Sequence, residues 1–174
     1  MRKEIFAITI FEDTVDLDKI VVPYKDEQLE PTWDSGVPST FGSQKGVPES
    51  TYAYLSEVIN RNLGPAQLMG PDATFGHMWA NKYGENDYQD AHMHPNCQWS
   101  FIIYVDVHAK TSFLNPSLIG IQNQMGSGNG AFPLDYKPDL GPGDIVIFPS
   151  FLIHQVNRGN VGTTISGNIY MDYS

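Results

Sequence analysis

The stretch AHMHPNCQWSFIIYV, residues 91–105, sets two histidines two positions apart, ahead of a Pro-Asn turn and a run of strand-forming residues. If the chain is extended up to His94, then His92 and His94 project from one face, with Cα atoms roughly 7 Å apart at about 3.4 Å per residue. Two imidazoles can converge on one metal ion across that gap. Asp90 shares the face, but the same rise puts it roughly 14 Å from His94. The residues alone therefore allow either His92 with His94 or Asp90 with His92 as a ligand pair.

A second stretch, GPGDIVIFPSFLIHQVN at residues 141–157, supplies the counterpart. A Gly-Asp turn opens an apolar strand, Phe148-Pro149-Ser150 breaks it, and His154 follows Phe151-Leu152-Ile153. A histidine buried in such company needs a polar partner, and a metal ion is one. Two ligands on one strand and a third 60 residues on is the arrangement a jelly-roll metal site requires, because strands distant in sequence lie side by side in that barrel.

Around these stretches the pattern alternates in strand fashion from residue 73 onward. Candidate strands are 73–83, 88–94, 99–107, 117–122, 144–148, 151–157 and 163–171, separated by Gly, Pro and Asn turns. Upstream, 4–11 reads as an opening strand and 12–48 as irregular. Residues 49–63 form a helix, with Pro48 suited to its first turn, Leu55, Val58, Ile59 and Leu63 at helical spacing, and Gly64-Pro65 as its stop. The Gly-rich segment 122–143, centred on GSGNG, has no helix pattern after it and reads as a surface loop or lid rather than a phosphate loop. The expected fold is mainly β: one double-stranded β-helix (jelly roll) domain with a supporting N-terminal helix. Residues 1–72 would give the N-terminal strand, loops and helix, and 73–174 the barrel core.

Composition narrows the function. Of 174 residues, 20 are acidic and 10 basic, for a net charge of −10, and the basic residues are scattered, which argues against nucleic acid as a partner. The single cysteine, Cys97, rules out an intrachain disulfide and suits a reducing compartment. No segment approaches the ~20 apolar residues of a membrane span, and no cleavage site follows the first apolar run. The expectation is a soluble, cytoplasmic protein with no membrane partner. An exposed edge strand could pair two barrels into a homodimer.

Taken together, residues 89–105 and 142–168 resemble the 2-oxoglutarate/Fe(II)-dependent dioxygenase superfamily. The matching elements are His92-Met93-His94-Pro95-Asn96, Ser100 to Tyr104-Val105, Asn115-Pro116, Gly143-Asp144, Phe148-Pro149-Ser150 and His154, with Trp79 and Asn81 upstream. The resemblance implies a double-stranded β-helix, a mononuclear Fe(II) held by His92, His94 and His154 in preference to Asp90, and oxidation of an unnamed substrate with 2-oxoglutarate and O2. It also implies a cosubstrate role for Tyr104. Two positions depart from the pattern. His94 occupies a slot where a carboxylate is usual. Thr164, ten residues past His154, stands where an Arg or Lys usually pairs the far carboxylate of 2-oxoglutarate. Arg158, Lys110 or Lys82 could replace that cation.

The spacing also approximates the cupin motifs, with Gln98 where a glutamate is usual. The alternative is therefore a cupin-like or non-catalytic metal-binding jelly roll that does not use 2-oxoglutarate. Cys97 reads as inert core, His77 as a pocket or surface residue, His108 as solvated, and Trp79, Trp99 and Tyr83 as barrel core.

Overall fold

The computed structural model describes residues 7–21, 28–43, 47–65, 74–126 and 132–171. Eleven strands and two α-helices lie among them, in the order β1 (Phe11–Thr14), β2 (Glu30–Thr32), β3 (Val37–Ser39), α1 (Glu49–Leu63), β4 (Thr74–Tyr83), β5 (Gln89–His92), β6 (Trp99–Tyr104), β7 (Thr111–Leu114), α2 (Leu118–Met125), β8 (Asp135–Tyr136), β9 (Asp144–Pro149), β10 (His154–Val156) and β11 (Gly162–Tyr170). The strands form two antiparallel sheets, β1-β9-β6-β11-β4-β3-β2 and β5-β10-β7-β8. From β4 to β11 the chain winds back and forth between the sheets, which makes the domain a jelly roll.

The period-two rule sorts β6, β9 and β11 by face. Phe101, Ile103, Ile145, Ile147, Ile165 and Ile169 point to one side of the larger sheet, where Leu55, Val58, Ile59 and Leu63 of α1 close a buried cluster. Ile102, Tyr104, Val146 and Phe148 point to the other, between the sheets, and meet Phe113 and Leu152. All six residues of β6 are buried, so this central strand is covered on both faces. Arg61 of α1 pins the helix to β1 through Asp13 at 2.6 Å, and Tyr52 stacks on Phe75 at 4.6 Å.

Gly143, at φ +86°, makes the turn into β9 in a backbone conformation that other residues rarely adopt. Gly167 serves a different need. A Cβ there would overlap the Phe101 ring and lie 3.0 Å from the His77 carbonyl oxygen.

Helix α1 has the bounds its sequence signals set. Five expectations are corrected. Residues 118–125 are helical, not a strand over 117–122. The Asn115 side chain accepts from the Ser117 amide at 2.9 Å, and the Asn115 carbonyl accepts from Leu118 at 2.8 Å. That Asx turn through Pro116 starts a helix despite the β-branched isoleucines.

The segment 12–48 is not irregular, since it holds most of β1 and the β2–β3 hairpin, and all three strands extend the larger sheet. The short β7 was unforeseen because its polar Thr111 and Ser112 carry no clear alternation; pairing with β10 makes it a strand. The segment 122–143 contains the end of α2 and the two-residue β8 as well as loop. The foreseen opening strand 4–11 is not one over its described part: residues 7–10 carry no regular structure and the strand begins only at Phe11, while residues 4–6 and most of GSGNG lie outside the described residues.

Candidate metal centre

Strand β5 runs antiparallel to β10 with His92 opposite His154, and the chain carries His94 on past the end of β5. The three imidazoles come together: ring centroids are 5.6 Å apart for His92–His94, 4.3 Å for His92–His154 and 5.1 Å for His94–His154. One nitrogen from each lies within 4.8 Å of the others. No other such group of His, Cys, Asp or Glu occurs among the described residues. Asp90 is exposed and contributes only its carbonyl, so the structure gathers His94 rather than Asp90.

Each ring has its other nitrogen occupied. His92 Nδ1 meets the Asp90 carbonyl at 2.7 Å, His154 Nδ1 meets the Leu152 carbonyl at 3.1 Å, and His94 Nδ1 meets Asn168 Oδ1 at 2.8 Å. A carbonyl oxygen only accepts, so Nδ1 of His92 and His154 carries the proton. With the Asn168 oxygen facing it, the same holds for His94. All three rings then present an unprotonated Nε2.

Burial pushes the His94 pKa down from 6.5 to about 4; the Asn168 hydrogen bond opposes this and the neighbouring His92 adds to it. Burial, with His92 and His94 beside it, also holds His154 well below the usual imidazole range. His94 and His154 are therefore neutral and ready to ligate at neutral pH.

A hydrogen-bonded chain supports the turn that carries His94. The His94 amide donates to the Ser150 carbonyl at 3.1 Å. Cys97 Sγ donates to Ser150 Oγ at 3.1 Å, Ser150 and Ser100 share a bond at 2.8 Å, and Ser100 Oγ donates to Asn168 Oδ1 at 3.3 Å. Cys97 is thus part of the scaffold and not of the nitrogen cluster. Asn96 makes the turn at φ 63°, a conformation asparagine tolerates well. Trp79 tilts against His94 at 5.6 Å, Phe148 packs edge-on to His154 at 4.8 Å, and Trp33, from the β2–β3 turn, stacks over His92 at 6.0 Å.

Beside the histidines lies a cavity of about 10 Å³, roughly what one water needs. Its polar lining is Asn81, Tyr83, Gln89, Thr111, Asn160, Thr164 and Ser166, with no Lys, Arg, Asp or Glu. The buried amide oxygens of Asn81 and Asn160 have no hydrogen-bond partner.

Of the residues expected to hold a cosubstrate, Thr164 lines this cavity. Tyr104 lies just behind it, fully buried, and donates to Thr111 Oγ1 at 3.0 Å. Arg158 is exposed, over the Tyr88 ring at 5.0 Å, and Lys110 and Lys82 are exposed too. None of these cations lines the cavity. His77 and His108 are exposed.

Sequence reading missed Trp33, Asn160 and the function of Asn168. Strand β11 does carry a usable signal: Thr164, Ser166 and Asn168 alternate with the apolar Ile165 and Ile169, which marks them as one interior face.

No curated protein sequence matches this chain. Among solved structures, a Pseudomonas putida prolyl-4-hydroxylase aligns with TM-score 0.51 and 14% identity over 84% of this chain and 79% of that one. HygX from Streptomyces hygroscopicus, with nickel and 2-oxoglutarate bound, aligns with TM-score 0.51 and 11% identity over 84% and 75%. EvdMO1 aligns with TM-score 0.53 and 11% identity over 87% and 40%. At these identities the likeness is one of fold. The model of the family described as "Putative 2OG-Fe(II) oxygenase" matches residues 77–167, more than half of the chain. That span contains most of β4, all of β5 to β10 and all three clustered histidines, and on its ground the chain belongs to the 2OG-Fe(II) oxygenase family.

Proposed function

We propose that the chain is a dioxygenase that hydroxylates a C–H bond of its substrate, with His92, His94 and His154 holding Fe(II) through Nε2. The observation that carries this is the shared tautomer: three rings, each with Nδ1 against an acceptor, offer their free nitrogens to one point.

The donor set suits a divalent first-row ion, since imidazole serves iron, zinc, copper and nickel alike, and the family membership selects iron. No fourth His, Cys or carboxylate joins the group among the described residues, so coordination positions stay open to a cosubstrate and O2. That openness favours catalysis over a closed structural site. When bound, iron and 2-oxoglutarate supply the two-electron oxidative decarboxylation that drives oxygen into a C–H bond.

The protein's own part is to fix the three nitrogens and keep the site dry. Asn168 and the Asp90 and Leu152 carbonyls set the ring orientations. Trp33, Trp79 and Phe148 wall the site against bulk water. The cavity beside the histidines is lined by hydroxyls and amides and has room for about one water, so a 2-oxo acid enters only when lining side chains move.

The test uses purified protein loaded with Fe(II) under anaerobic conditions. A charge-transfer absorption band on adding 2-oxoglutarate, followed by succinate on admitting O2, is expected, and both are lost in His154→Ala. Metal-loaded protein that neither binds nor decarboxylates 2-oxoglutarate would overturn the proposal.

A further inference from the structure

We infer that the primary substrate is an uncharged, largely apolar small molecule, held in a cleft of about 640 Å³ that adjoins the metal centre at Phe113. This rests on the function proposed above and names the class of compound that the same site oxidises.

The cleft opens between the two sheets on the side where β1 and β8 form their edges. Its position follows from the register of the smaller sheet. His92 pairs with His154, His154 with Phe113, and Phe113 with Tyr136. Paired residues of antiparallel strands point to one face, so these four side chains form a single rung facing the larger sheet. Two of them are histidines of the metal centre and two line the cleft. At about 4.8 Å between strands, Tyr136 stands roughly 10 Å from His154. Phe113 lies between them, its ring 5.8 Å from that of His154. Leu152 is shared in the same way, for it lines the cleft while its carbonyl accepts from His154 Nδ1. A ligand that fills the cleft therefore ends against Phe113, one strand spacing from His154.

The lining sets the chemistry. Ile8, Ile10, Phe113, Tyr136, Phe151 and Leu152 give the cleft apolar walls. Its volume falls within the range of small-molecule sites, about 300–1,000 Å³. Ile8, Tyr136 and Phe151 remain 37%, 47% and 60% exposed, and large apolar side chains gathered around one opening mark a binding site.

The polar groups of the lining are already engaged. Asn115 donates to the Pro133 carbonyl at 2.8 Å and accepts from the Ser117 amide at 2.9 Å. Asp135 accepts from Ser112 at 2.7 Å and pairs with Lys137 at 3.3 Å. Tyr136 donates to Glu12 at 2.7 Å and so bridges the two sheets. No Lys, Arg or His lines the cleft, so a carboxylate there would lose its water without gaining a counter-charge. An ammonium would have to displace Lys137 from Asp135. The Ser117 hydroxyl is left to meet a neutral polar end. In the reaction one atom of O2 enters a C–H bond of the bound compound, the other enters succinate, and CO2 leaves 2-oxoglutarate.

The experiment uses three probes of one shape, 1-octanol, octanoate and octylammonium, on the full chain loaded with Zn(II) or Mn(II). Binding is read by displacement of Nile red, and nearness to the metal by the extra proton relaxation of the probe in the Mn(II) form. Expected is that 1-octanol binds at least about tenfold more tightly than either charged probe. Its relaxation should be enhanced by Mn(II) and not by Zn(II). Phe151→Asp, at an exposed position, should weaken 1-octanol about tenfold or more, because a charge then faces the alkyl chain. Ile8→Asp, on the opposite wall, carries the same expectation should that variant fail to fold. Ile119→Asp, exposed on α2 and outside the lining, should change nothing.

Charged probes that bind as tightly as 1-octanol would overturn the ligand class. Unchanged binding in both wall variants would remove the cleft from the site. Binding without Mn(II)-dependent relaxation would place the ligand away from the metal and overturn its role as substrate. A wild-type dimer that Phe151→Asp turns into a monomer would assign the cleft to a second copy of the chain, which also overturns the inference. Decarboxylation of 2-oxoglutarate enters none of these readouts, so failure of the proposed function is seen separately in its own assay.

Discussion

His94 Nδ1 and Asn168 Oδ1 meet at 2.8 Å across 74 positions of sequence. The same oxygen accepts from Ser100, which is paired with Asn168 in the register of β6 and β11. Asn168 is therefore the residue that turns His94 Nε2 toward the other two histidines. Replacing such an orienting partner typically costs 10–100-fold in metal affinity. We expect Asn168→Ala to weaken metal binding by about that much, measured by competition with a chromogenic chelator, and Asn168→Asp, which still accepts, to restore most of it. Equal affinity in wild type and Asn168→Ala would show that the ring holds its orientation without this bond.

His154 sits opposite His92 in the β5–β10 pair and is 2% exposed. Its removal takes away the ligand with the least freedom to be replaced, because Phe148 and Phe113 fix its place from behind at 4.8 and 5.8 Å. His154→Ala should lose stoichiometric metal, read by elemental analysis after dialysis. It should also lose stability, because a ring-sized void opens in a packed wall. Retained stoichiometry would remove this histidine from the centre.

How far the sequence revealed these features follows from which signals are local. Helix α1 was legible because Pro48, the spacing of Leu55 to Leu63 and Gly64-Pro65 all lie within one segment. His92, His94 and His154 were legible because the His-x-His spacing and the break at Phe148-Pro149-Ser150 are written in contiguous residues. Asn168 was visible only as a motif position, since its role depends on β11 lying beside β6. Trp33 was invisible because the β2–β3 hairpin that carries it joins the sheet through β4, far along the chain. Helix α2 misled because its isoleucines suit a strand and only the Asn115 turn decides otherwise.

The two buried histidines make the metal-free protein acid-sensitive. His94 has a folded pKa of about 4 against 6.5 when free. Between those values the unfolded chain binds more protons than the folded one, so stability is full above pH 6.5 and is lost as pH falls toward 4. At pH 5 the loss from His94 is on the order of 2 kcal/mol, at 1.36 kcal/mol per pH unit. His154 is shifted in the same direction and adds to it. The lowered carboxyl groups of Asp13 and Asp135 titrate below this window. Urea unfolding of metal-free protein at pH 7 and pH 5 should show wild type losing more stability than His94→Gln by about that amount. Equal losses would mean His94 is not held neutral in the fold.

Strand β11 reaches its close packing on β6 through Gly167, where a side chain would collide with the Phe101 ring and the His77 carbonyl. Phe101 is fully buried and cannot swing clear. Gly167→Ala should cost roughly 1–3 kcal/mol, the usual price of overpacking a core. Because Asn168 is its neighbour, the strain should also reach the metal site. The expected result is a lower unfolding midpoint together with weaker metal binding. A lower midpoint with unchanged metal affinity would confine the strain to the helix-facing side of the sheet.

Trp33 covers the mouth of the site in an unfavourable backbone state. It holds φ 65°, stacks over His92 at 6.0 Å, and is still 41% exposed. A left-handed conformation costs a non-glycine residue about 1–2 kcal/mol, and Trp33 meets that through its contacts with His92 and with Phe41 at 4.7 Å. The cavity it borders has room for about one water, so a 2-oxo acid enters only when lining side chains move. Trp33 is the one exposed residue among those that line it, and its displacement uncovers the ring of His92. In Trp33→Gly the backbone strain is relieved and the cover removed at once. We expect little change in unfolding free energy, within about 1 kcal/mol, and a severalfold faster association of 2-oxoglutarate with Fe(II)-loaded protein, followed by stopped-flow absorption. Substrate-free decarboxylation should rise as well, since water then reaches the iron. An association rate equal to that of wild type would place the entrance at another part of the barrel rim.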